Sequence, residues 1–383
     1  MALLAPHRRY LGPVVLVLLV LLMLGALVPD PSNTARPFSL PADKPLMARL
    51  AALPDAVSRY VAENFAYSNS LPFLRGVVQY KLGTPSDPRI IIGRHEHLYY
   101  NDEHVTGQAT GAVYRTAEVG HFVDMAEALD RALAPIGARL VVLLPPNPQS
   151  VATRDLPSWW HVEGPLEYDL ALRELGKRDV ATVDLKAGLA AMPDANDLYL
   201  HTDTHWRRKA AVLAFNMAMQ SIGHAEWSVD PAGFLLPLAP APGGDLAGLL
   251  GLKRYLADQD YPLRDAADES GWTPIDVIRS PPYVRVFFPY AFEQRQDGER
   301  ILVLGDSFTL SFWRPLLLRT GAARIGWMHH SYCGFDFNDV VRFRPTWVFL
   351  APTERSMPCL LKFWPKDLPR VTARAPVSAA AAR

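Results

Sequence analysis

From residue 89 onward, short runs of apolar residues alternate with longer segments whose apolar positions recur at helical spacing. Runs such as 139–144 and 301–304 predict buried parallel strands, because strands covered on both faces are apolar at nearly every position. This alternation predicts an α/β fold in which helices cover both faces of a mostly parallel sheet. We predict strands at 89–92, 98–100, 139–144, 180–185, 301–304, 323–328 and 346–350, and helices at 46–65, 67–82, 118–136, 166–177, 185–192, 206–222, 308–320 and 336–342.

The N-terminal segment has a different pattern. Residues 11–28 are uncharged and almost entirely apolar, and the basic residues Arg8 and Arg9 precede them. This length is just sufficient for one membrane span, and the arginines predict a cytoplasmic N-terminus and an exported remainder. A cleaved signal peptide and a buried core helix are the alternatives. We favour an uncleaved transmembrane anchor because residues 25–29 lack a clear small-x-small cleavage site.

Changes in composition give the domain boundaries. Residues 1–28 form the cytoplasmic stub and the anchor, and the proline-rich start of 29–70 indicates a linker and a helical lead-in. Residues 71–362 form the main domain. Within it, 225–289 is an irregular insertion that we expect to help form a substrate surface. The C-terminal segment 363–383 ends in an alanine-rich stretch, and we expect it to be a disordered tail.

Ser307 is the first candidate for chemistry. The apolar run 301–304 is broken by Gly305 and Asp306, and a mostly apolar segment follows, which predicts a strand, a tight turn and a helix start. Open α/β sheets bind their ligands at the carboxyl ends of strands. Backbone N–H groups at a helix N-terminus can also stabilise an oxyanion there. The alternative is that Ser307 only caps the helix.

Asp203 and His205 supply what Ser307 needs to become a nucleophile. A serine hydroxyl reacts only when a base accepts its proton, and a histidine oriented by a carboxylate is the usual base. Residues two apart share a face of an extended segment, so we place both on a loop that enters the helix beginning near Trp206. The alternative is a helix N-terminus with Thr202 or Asp203 as its cap.

Other residues close to these segments are candidates for substrate binding. Arg207, Arg208 and Lys209 place positive charge in the first turn of a helix, where it opposes the helix dipole. Arg207 is therefore a candidate for contacting an anionic substrate group, and a solvated helix face is the alternative. Aromatic side chains can stack on sugar rings, although core packing is the alternative for most tryptophans. The aromatic candidates are Trp159, Trp160, Trp206, Trp313 and Tyr332.

Composition excludes several functional classes. The sequence contains 39 basic and 39 acidic residues, and no basic stripe indicates nucleic-acid binding. Its two cysteines, Cys333 and Cys359, can form one disulfide in an oxidising compartment, although sequence cannot show that they are close. No Cys/His spacing is typical of a zinc site, and we predict neither a metal nor a cofactor.

The motifs together resemble a known family. Asp203–Trp206 before a helix, followed by Gly305–Phe308 after a strand, resembles the SGNH hydrolase-like domain of alginate O-acetyltransferases of the AlgJ/AlgX type. The segments 90–100, 244–252 and 354–356 are also similar to segments of that family. The resemblance extends over residues 71–358. The Asp-His pair precedes the serine, which is a permuted order relative to ordinary SGNH esterases, and this order is its most specific part.

The resemblance implies a fold, an activity and a location. The fold is SGNH-hydrolase-like and flavodoxin-like. The activity is transfer of an acetyl group to hydroxyls of an exported, alginate-like exopolysaccharide through an acetyl-serine, with Ser307 as nucleophile, His205 as base and Asp203 as its orienting carboxylate. The family also implies a membrane-bound O-acyltransferase as acetyl-donor partner. We expect a single-pass protein of the inner membrane with its catalytic domain in the periplasm.

Two points stay open at the level of sequence. The N–H of Ser307 is one expected oxyanion donor, and the second is either Asn147 or a backbone N–H near Gly244; ordinary turn chemistry is the alternative for both. The function also has two rivals. An acetylesterase would use the same three residues with water as acceptor. A polysaccharide-binding assembly subunit would keep the fold without catalysis.

Overall fold

The computed structural model describes residues 8–25, 38–40, 45–64 and 70–370. The chain divides into two compact units. One comprises residues 1–86 with 250–252, and the other comprises 87–249 with 253–383. All the candidate residues named above lie in the second unit. Residues 371–383, the end of the predicted tail, lie outside the described residues.

The described part of the first unit is largely helical, with α1 (Arg8–Gly25), α2 (Leu46–Ala51), α3 (Leu53–Asn64) and α4 (Ser70–Lys81). The single helix predicted at 46–65 is two helices, because Pro54 lacks an N–H and fits only the first turn of a helix. Of the helices that the structure describes, none is both long and apolar enough to cross a membrane. Residues 26–28 of the anchor predicted at 11–28 lie outside the described residues, and the anchor stays a prediction.

The second unit begins with an antiparallel hairpin and then alternates helices and strands. The hairpin pairs β1 (Ile90–Ile92) with β2 (Leu98–Tyr100), as predicted. The elements up to residue 221 are α5 (Val105–Thr110), α6 (Thr116–Leu133), β3 (Arg139–Leu143), α7 (Pro148–Val151), α8 (Glu167–Gly176), β4 (Thr182–Val183), α9 (Leu185–Ala190) and α10 (Arg208–Ser221). The later elements are α11 (Pro231–Phe234), β5 (Ala239–Pro242), α12 (Asp245–Leu249), β6 (Ala257–Asp260), β7 (Thr273–Pro274), β8 (Tyr290–Glu293), β9 (Arg300–Gly305), α13 (Ser307–Leu317), β10 (Arg324–His329), α14 (Phe337–Phe343) and β11 (Trp347–Ala351).

A seven-stranded sheet has the order β4-β3-β11-β9-β10-β8-β7. The first five strands are parallel to one another. β8 is antiparallel to β10, and β7 is antiparallel to β8. Alternate residues of the same strands enter two different cores. Val141 and Val303 pack in a core with side chains of α10 and α13, whereas Val142 and Leu302 pack in one with α6, α8 and α14. The mostly parallel sheet with helices on both faces is thus confirmed.

The insertion is more ordered than predicted. Residues 225–289 contain α11, α12 and the antiparallel hairpin of β5 and β6, and β7 joins the edge of the main sheet. The sequence pattern did not show these short elements because β5 has the sequence Ala-Pro-Ala-Pro, which has no alternation of apolar and polar residues.

The chain end is also better packed than predicted. Leu368 is buried in the core, and the Lys366 ammonium pairs with the Asp336 carboxylate at 3.1 Å. Residues 363–370 are therefore part of the domain, and the expectation of disorder from residue 363 was wrong there. A disulfide joins Cys333 and Cys359, whose α-carbons are 5.7 Å apart.

Candidate active site

Ser307 follows β9, a central strand of the sheet, and is the first residue of α13. Asp306 is the N-cap: its carboxylate accepts hydrogen bonds from Phe308 N at 3.0 Å and from Thr353 N at 2.7 Å. The alternative in which Ser307 only caps the helix is therefore wrong, because Asp306 performs that function. The Ser307 side chain is left at the helix N-terminus, at the carboxyl edge of the sheet.

Asp203 and His205 lie together on the loop that precedes α10. Asp203 Oδ1 is 2.6 Å from His205 Nδ1 and accepts a second hydrogen bond from the His205 backbone N–H at 3.0 Å. Both ends of the loop are joined, because Tyr199 and Trp206 form an isolated β-bridge. This geometry fixes one ring nitrogen of His205 against the carboxylate and leaves Nε2 for another partner.

The insertion holds this loop in place. Asp258 Oδ2 accepts hydrogen bonds from both the N–H and the Oγ1 hydroxyl of Thr202, each at 2.7 Å. The N–H of Gly244 donates to Thr202 Oγ1 at 2.9 Å, and the N–H of Asp245 donates to Asp203 Oδ2 at 2.9 Å. Since the Gly244 N–H is already bonded, Gly244 supports the loop and does not offer a free oxyanion donor.

The environment of Asp203 keeps it ionised. Burial raises its pKa, but the hydrogen bond and the charge of His205, together with the N–H groups of Asp245 and His205, outweigh burial and lower the pKa below its usual value. An ionised carboxylate accepts the Nδ1 proton of His205, which selects the tautomer with an unprotonated Nε2.

The His205 loop contacts the start of α13. The His205 ring lies 5.1 Å from the ring of Phe308, the residue after Ser307, measured between centroids. The indole Nε1 of Trp206 donates to the Phe308 carbonyl at 3.1 Å. The two segments predicted to cooperate are thus adjacent, although 102 positions separate Trp206 from Phe308. The assignment of Ser307, His205 and Asp203 as a catalytic triad stays a prediction.

Asn147 lies at the carboxyl end of β3, on the same edge of the sheet. It is fully buried, its N–H donates to Glu354 Oε2 at 2.8 Å, and its Oδ1 accepts from Arg355 at 3.3 Å. Its Nδ2 group has no hydrogen-bond partner among the described residues. A buried unpaired amide donor is costly, and this one stays a candidate for binding an oxyanion.

Arg355 is a site residue that sequence reasoning did not assign. Its guanidinium lies 5.1 Å from the Phe308 ring and 5.5 Å from the Tyr100 ring, and its Nε is 3.5 Å from Glu103 Oε2. The hydroxyl of Tyr332 donates to Glu103 Oε1 at 3.3 Å. Arg355 therefore links Phe308, Asn147 and the Tyr332 side of the site. In the sequence, only the Glu354-Arg355 pair after the last predicted strand, which is similar to a segment of the family, pointed to this residue.

Three predicted substrate contacts are corrected. Trp206 and Trp313 are fully buried, and their indole N–H groups donate to backbone carbonyls, so neither can stack on a sugar. Arg207 is buried as well and donates to the Asp197 carbonyl at 3.0 Å. The side chains of these residues pack inside the domain and stabilise the His205 loop and the position of α13. Trp159 is exposed and lies beside Trp160, with ring centroids 5.7 Å apart, so that pair stays a candidate sugar platform.

An aromatic groove of about 400 Å³ lies beside the site, at the end of β10. Tyr283 stacks on His329 with ring centroids 4.2 Å apart, and Tyr332 lies 6.3 Å from the same imidazole. Burial lowers the pKa values of His329 and His330 to about 3, so both rings are neutral. The groove is therefore a largely uncharged surface that contains the predicted candidate Tyr332.

Two groups of side chains in the described part of the chain are arranged so that they could hold a metal ion. One consists of Asp203, His205 and Asp245, and the other of His97, Asp155 and His201. The second group lies outside the site described so far. Sequence reasoning missed it because its members are separated by more than 40 residues and follow no zinc-binding spacing.

Residues 90–267 match the family described as the SGNH hydrolase-like domain of the acetyltransferase AlgX. The match extends over residues 90–267 and supports the AlgJ/AlgX-type resemblance. The resemblance inferred from the motifs is thus confirmed. The matched segment includes Asp203, His205 and Gly244, whereas Ser307 lies beyond it.

Several solved structures are similar to this chain. Bacillus cereus PatB1 is 17% identical, with a TM-score of 0.50 over 70% of this chain and 97% of that chain. PatB1 with a sulfonyl adduct is 17% identical and has a TM-score of 0.51 over 72% and 97%. The O-acetyltransferase domain of Pseudomonas putida AlgJ is 19% identical, with a TM-score of 0.45 over 72% and 94%. A search of curated proteins gave no match.

Proposed function

We propose that this protein is an O-acetyltransferase that moves an acetyl group to hydroxyls of an exported polysaccharide through an acetyl-serine intermediate. The observation that supports this most strongly is the 2.6 Å contact between Asp203 Oδ1 and His205 Nδ1, on a loop packed against the residue after Ser307. The family match adds an acetyltransferase context. The AlgJ neighbour is itself described as an O-acetyltransferase domain.

In the first half-reaction, His205 Nε2 accepts the proton of Ser307 as Oγ attacks the acetyl carbonyl carbon of the donor. Asp203 stabilises the imidazolium that forms. The tetrahedral intermediate collapses with loss of the donor's leaving group, which takes the proton from His205. Ser307 is left acetylated.

In the second half-reaction, a sugar hydroxyl replaces the donor. His205 accepts its proton while the hydroxyl oxygen attacks the acetyl-serine, and the ester of the sugar forms as Ser307 Oγ departs with that proton. The groove with Tyr283, His329 and Tyr332 offers aromatic faces for sugar rings next to this centre. The acceptor would lie along this groove.

The oxyanion needs two donors, and the site offers two candidates. The N–H of Ser307 is in the first turn of α13, where backbone N–H groups have no intrahelical partner. The Nδ2 group of Asn147 is buried and unpaired. Because Arg355 donates to Oδ1, the amide is oriented with Nδ2 pointing away from the guanidinium.

The test uses a chromogenic donor and a matched control. Purified protein is incubated with p-nitrophenyl acetate, and nitrophenol release and acetyl-Ser307 are followed by absorbance and mass spectrometry. Ser307→Ala should lower release by several orders of magnitude and abolish the adduct. Ser311→Ala, an exposed serine one turn further along α13, should behave like the wild type. Equal rates for Ser307→Ala and the wild type would contradict the proposal.

A second arm separates the rival functions. Candidate polysaccharides are added, and transfer is measured as acetyl ester on the glycan. Acetylated glycan formed only with intact Ser307 supports the transferase. Free acetate without acetylated glycan supports the esterase. Glycan binding without either product, and without an adduct, supports the assembly subunit.

We further propose that the chain acts at the inner membrane, with its catalytic domain in the periplasm and a membrane-bound O-acyltransferase as donor partner. Support comes from the apolar segment 11–28, the preceding arginines and the disulfide, since disulfides persist in oxidising compartments. Protease added to spheroplasts should digest the domain while the membrane fraction retains the N-terminal segment. Recovery of the full chain in the protease-resistant cytoplasm would contradict this location.

A further inference from the structure

His97 is buried without a hydrogen-bond partner. Its side chain is fully inaccessible, and neither Nδ1 nor Nε2 has a partner among the described residues. It lies in a stack of three rings, 4.2 Å from the Tyr99 ring and 4.5 Å from the His201 ring. Burial of polar groups without partners costs free energy, so we expect a ligand to bind these nitrogens.

Two further ligand atoms lie beside it. Nε2 of His201 is also buried and has no partner in the part of the chain that the structure describes. The Asp155 carboxylate is fully buried, with Oδ2 3.8 Å from His97 Nδ1. One ligand atom from each of the three residues lies within 4.8 Å of the other two. Ligand atoms in a tetrahedral zinc site are about 3.4 Å apart, so a bound ion would need a closure of roughly 1 Å. Because an imidazole binds a metal in the plane of its ring, the His201 ring would also have to rotate out of its stack on His97.

We propose that His97, His201 and Asp155 form a binding site for a divalent transition metal ion, with zinc as the expected occupant. Two imidazoles and one carboxylate are a donor set that suits zinc, and a water molecule would complete the tetrahedron. The preference for nitrogen ligands disfavours magnesium and calcium, which bind oxygen. This site is separate from the proposed catalytic residues and does not depend on their assignment.

The surroundings of Asp155 support the role of a ligand. His95 Nδ1 lies 2.7 Å from Asp155 Oδ1, and Arg154 donates to both carboxylate oxygens at 3.0 and 2.9 Å. Carboxylates that bind metals are usually held by such outer hydrogen bonds, which fix their orientation. Arg154 also balances the negative charge of Asp155. Ion binding would therefore depend mainly on the two neutral imidazoles, which favours an ion that binds nitrogen.

The position of the site indicates a structural role. His97 lies just before β2, Asp155 follows α7, and His201 is two residues before Asp203 on the loop that also contains His205. Backbone hydrogen bonds already connect these segments: Leu98 N donates to the His201 carbonyl at 2.7 Å, and Arg94 N donates to the Asp155 carbonyl at 2.6 Å. An ion bound here would fix the base of the loop without touching a reacting group.

The test measures metal binding directly. Full-length protein without a polyhistidine tag is stripped with EDTA and titrated with Co²⁺, and then with Zn²⁺ as competitor. The wild type should bind one Co²⁺ per chain with the visible absorption of a tetrahedral site, and Zn²⁺ should displace it. His97→Phe and His201→Phe, which keep an aromatic ring in the stack, should each weaken binding about 100-fold or more.

A matched variant distinguishes this site from the second candidate group. His205→Phe removes the imidazole of the group with Asp203 and Asp245, and we expect it to bind Co²⁺ like the wild type. Zn²⁺ should also raise the Tm of the wild type and of His205→Phe, but not that of His97→Phe. Wild-type protein without stoichiometric Co²⁺ binding would overturn the proposal. So would binding that persists in both His97→Phe and His201→Phe, or that disappears in His205→Phe.

Discussion

Gly244 lies against Asp203 so closely that a β-carbon at position 244 would overlap the Asp203 side chain. The same atom would lie 2.7 Å from the Thr202 carbonyl oxygen, which is closer than carbon and oxygen atoms pack. The glycine is thus required by contact with the Asp-His loop, and this contact places the Asp245 N–H within reach of Asp203 Oδ2.

Gly244→Ala should therefore impair catalysis more than folding. We expect the methyl group to displace Asp203 and lower the rate of nitrophenol release by about 10- to 100-fold, because small displacements of catalytic groups have effects of that size. Gly248→Ala, in the helix that follows Gly244, is the control, since a β-carbon at position 248 would have no neighbouring atom within 4 Å. Equal rates for the two variants would contradict the importance of the contact.

Arg355→Lys should lower the rate while leaving the Tm almost unchanged. A lysine keeps the charge beside Glu103 but cannot reproduce the planar guanidinium that contacts Phe308 and donates to Asn147 Oδ1. We expect a loss of about 10-fold or more in kcat, since the Asn147 amide would lose its orientation. Arg131→Lys, a half-exposed arginine paired with Glu127, should keep full activity.

Removal of the disulfide should destabilise the protein and reduce activity. The Cys333–Cys359 bond spans 26 residues, and the loss of such a link typically costs about 3 kcal/mol. It also joins the turn that contains Tyr332 to the segment after Arg355. A double serine variant should therefore unfold at lower denaturant concentration and release nitrophenol more slowly. Dithiothreitol should bring the wild type toward the variant and leave the variant unchanged.

Stability should decrease as the pH falls from about 6.5 toward 3, because His330 is buried and its pKa is lowered to about 3. In this range the unfolded chain binds a proton that the folded chain does not, so acid favours unfolding. The neighbouring charge is Asp306, 3.9 Å from His330 Nε2, and His329 stacks on the same ring. His330→Asn should give a shallower decline of Tm with acidification than the wild type. His161→Asn, at an exposed position, should follow the wild-type slope.

The sequence predicted the elements that are encoded locally. The strands at 139–144 and 301–304 are apolar at nearly every position, and both were found in the parallel part of the main sheet within one or two residues of the predicted bounds. Ser307 was placed correctly at a helix start, because Gly305 and Asp306 end the strand. The two-residue spacing of Asp203 and His205 was sufficient to predict that they share a loop.

The errors concern contacts made over long distances in the chain. Nothing around Trp206 or Arg207 shows that their side chains point inward, because burial depends on α13 and on residues far away in sequence. The roles of Asp245 and Asp258 were missed for the same reason: each binds the loop from more than 40 residues further on. The group of His97, Asp155 and His201 also forms only when three distant segments meet.

The anchoring of Thr202 and Asp203 by residues 244–258 has a consequence for synthesis of the protein. Because the N-terminus of a chain is synthesised first, the His205 loop leaves the ribosomal exit tunnel before residues 244–258, which hold it. Until Asp258 has emerged, Thr202 lacks its carboxylate partner, and the loop has only the contacts within residues 199–206. A premature product that stops before residue 244 would contain both Asp203 and His205, yet it would lack the N–H donors of Gly244 and Asp245 that bind Thr202 and Asp203.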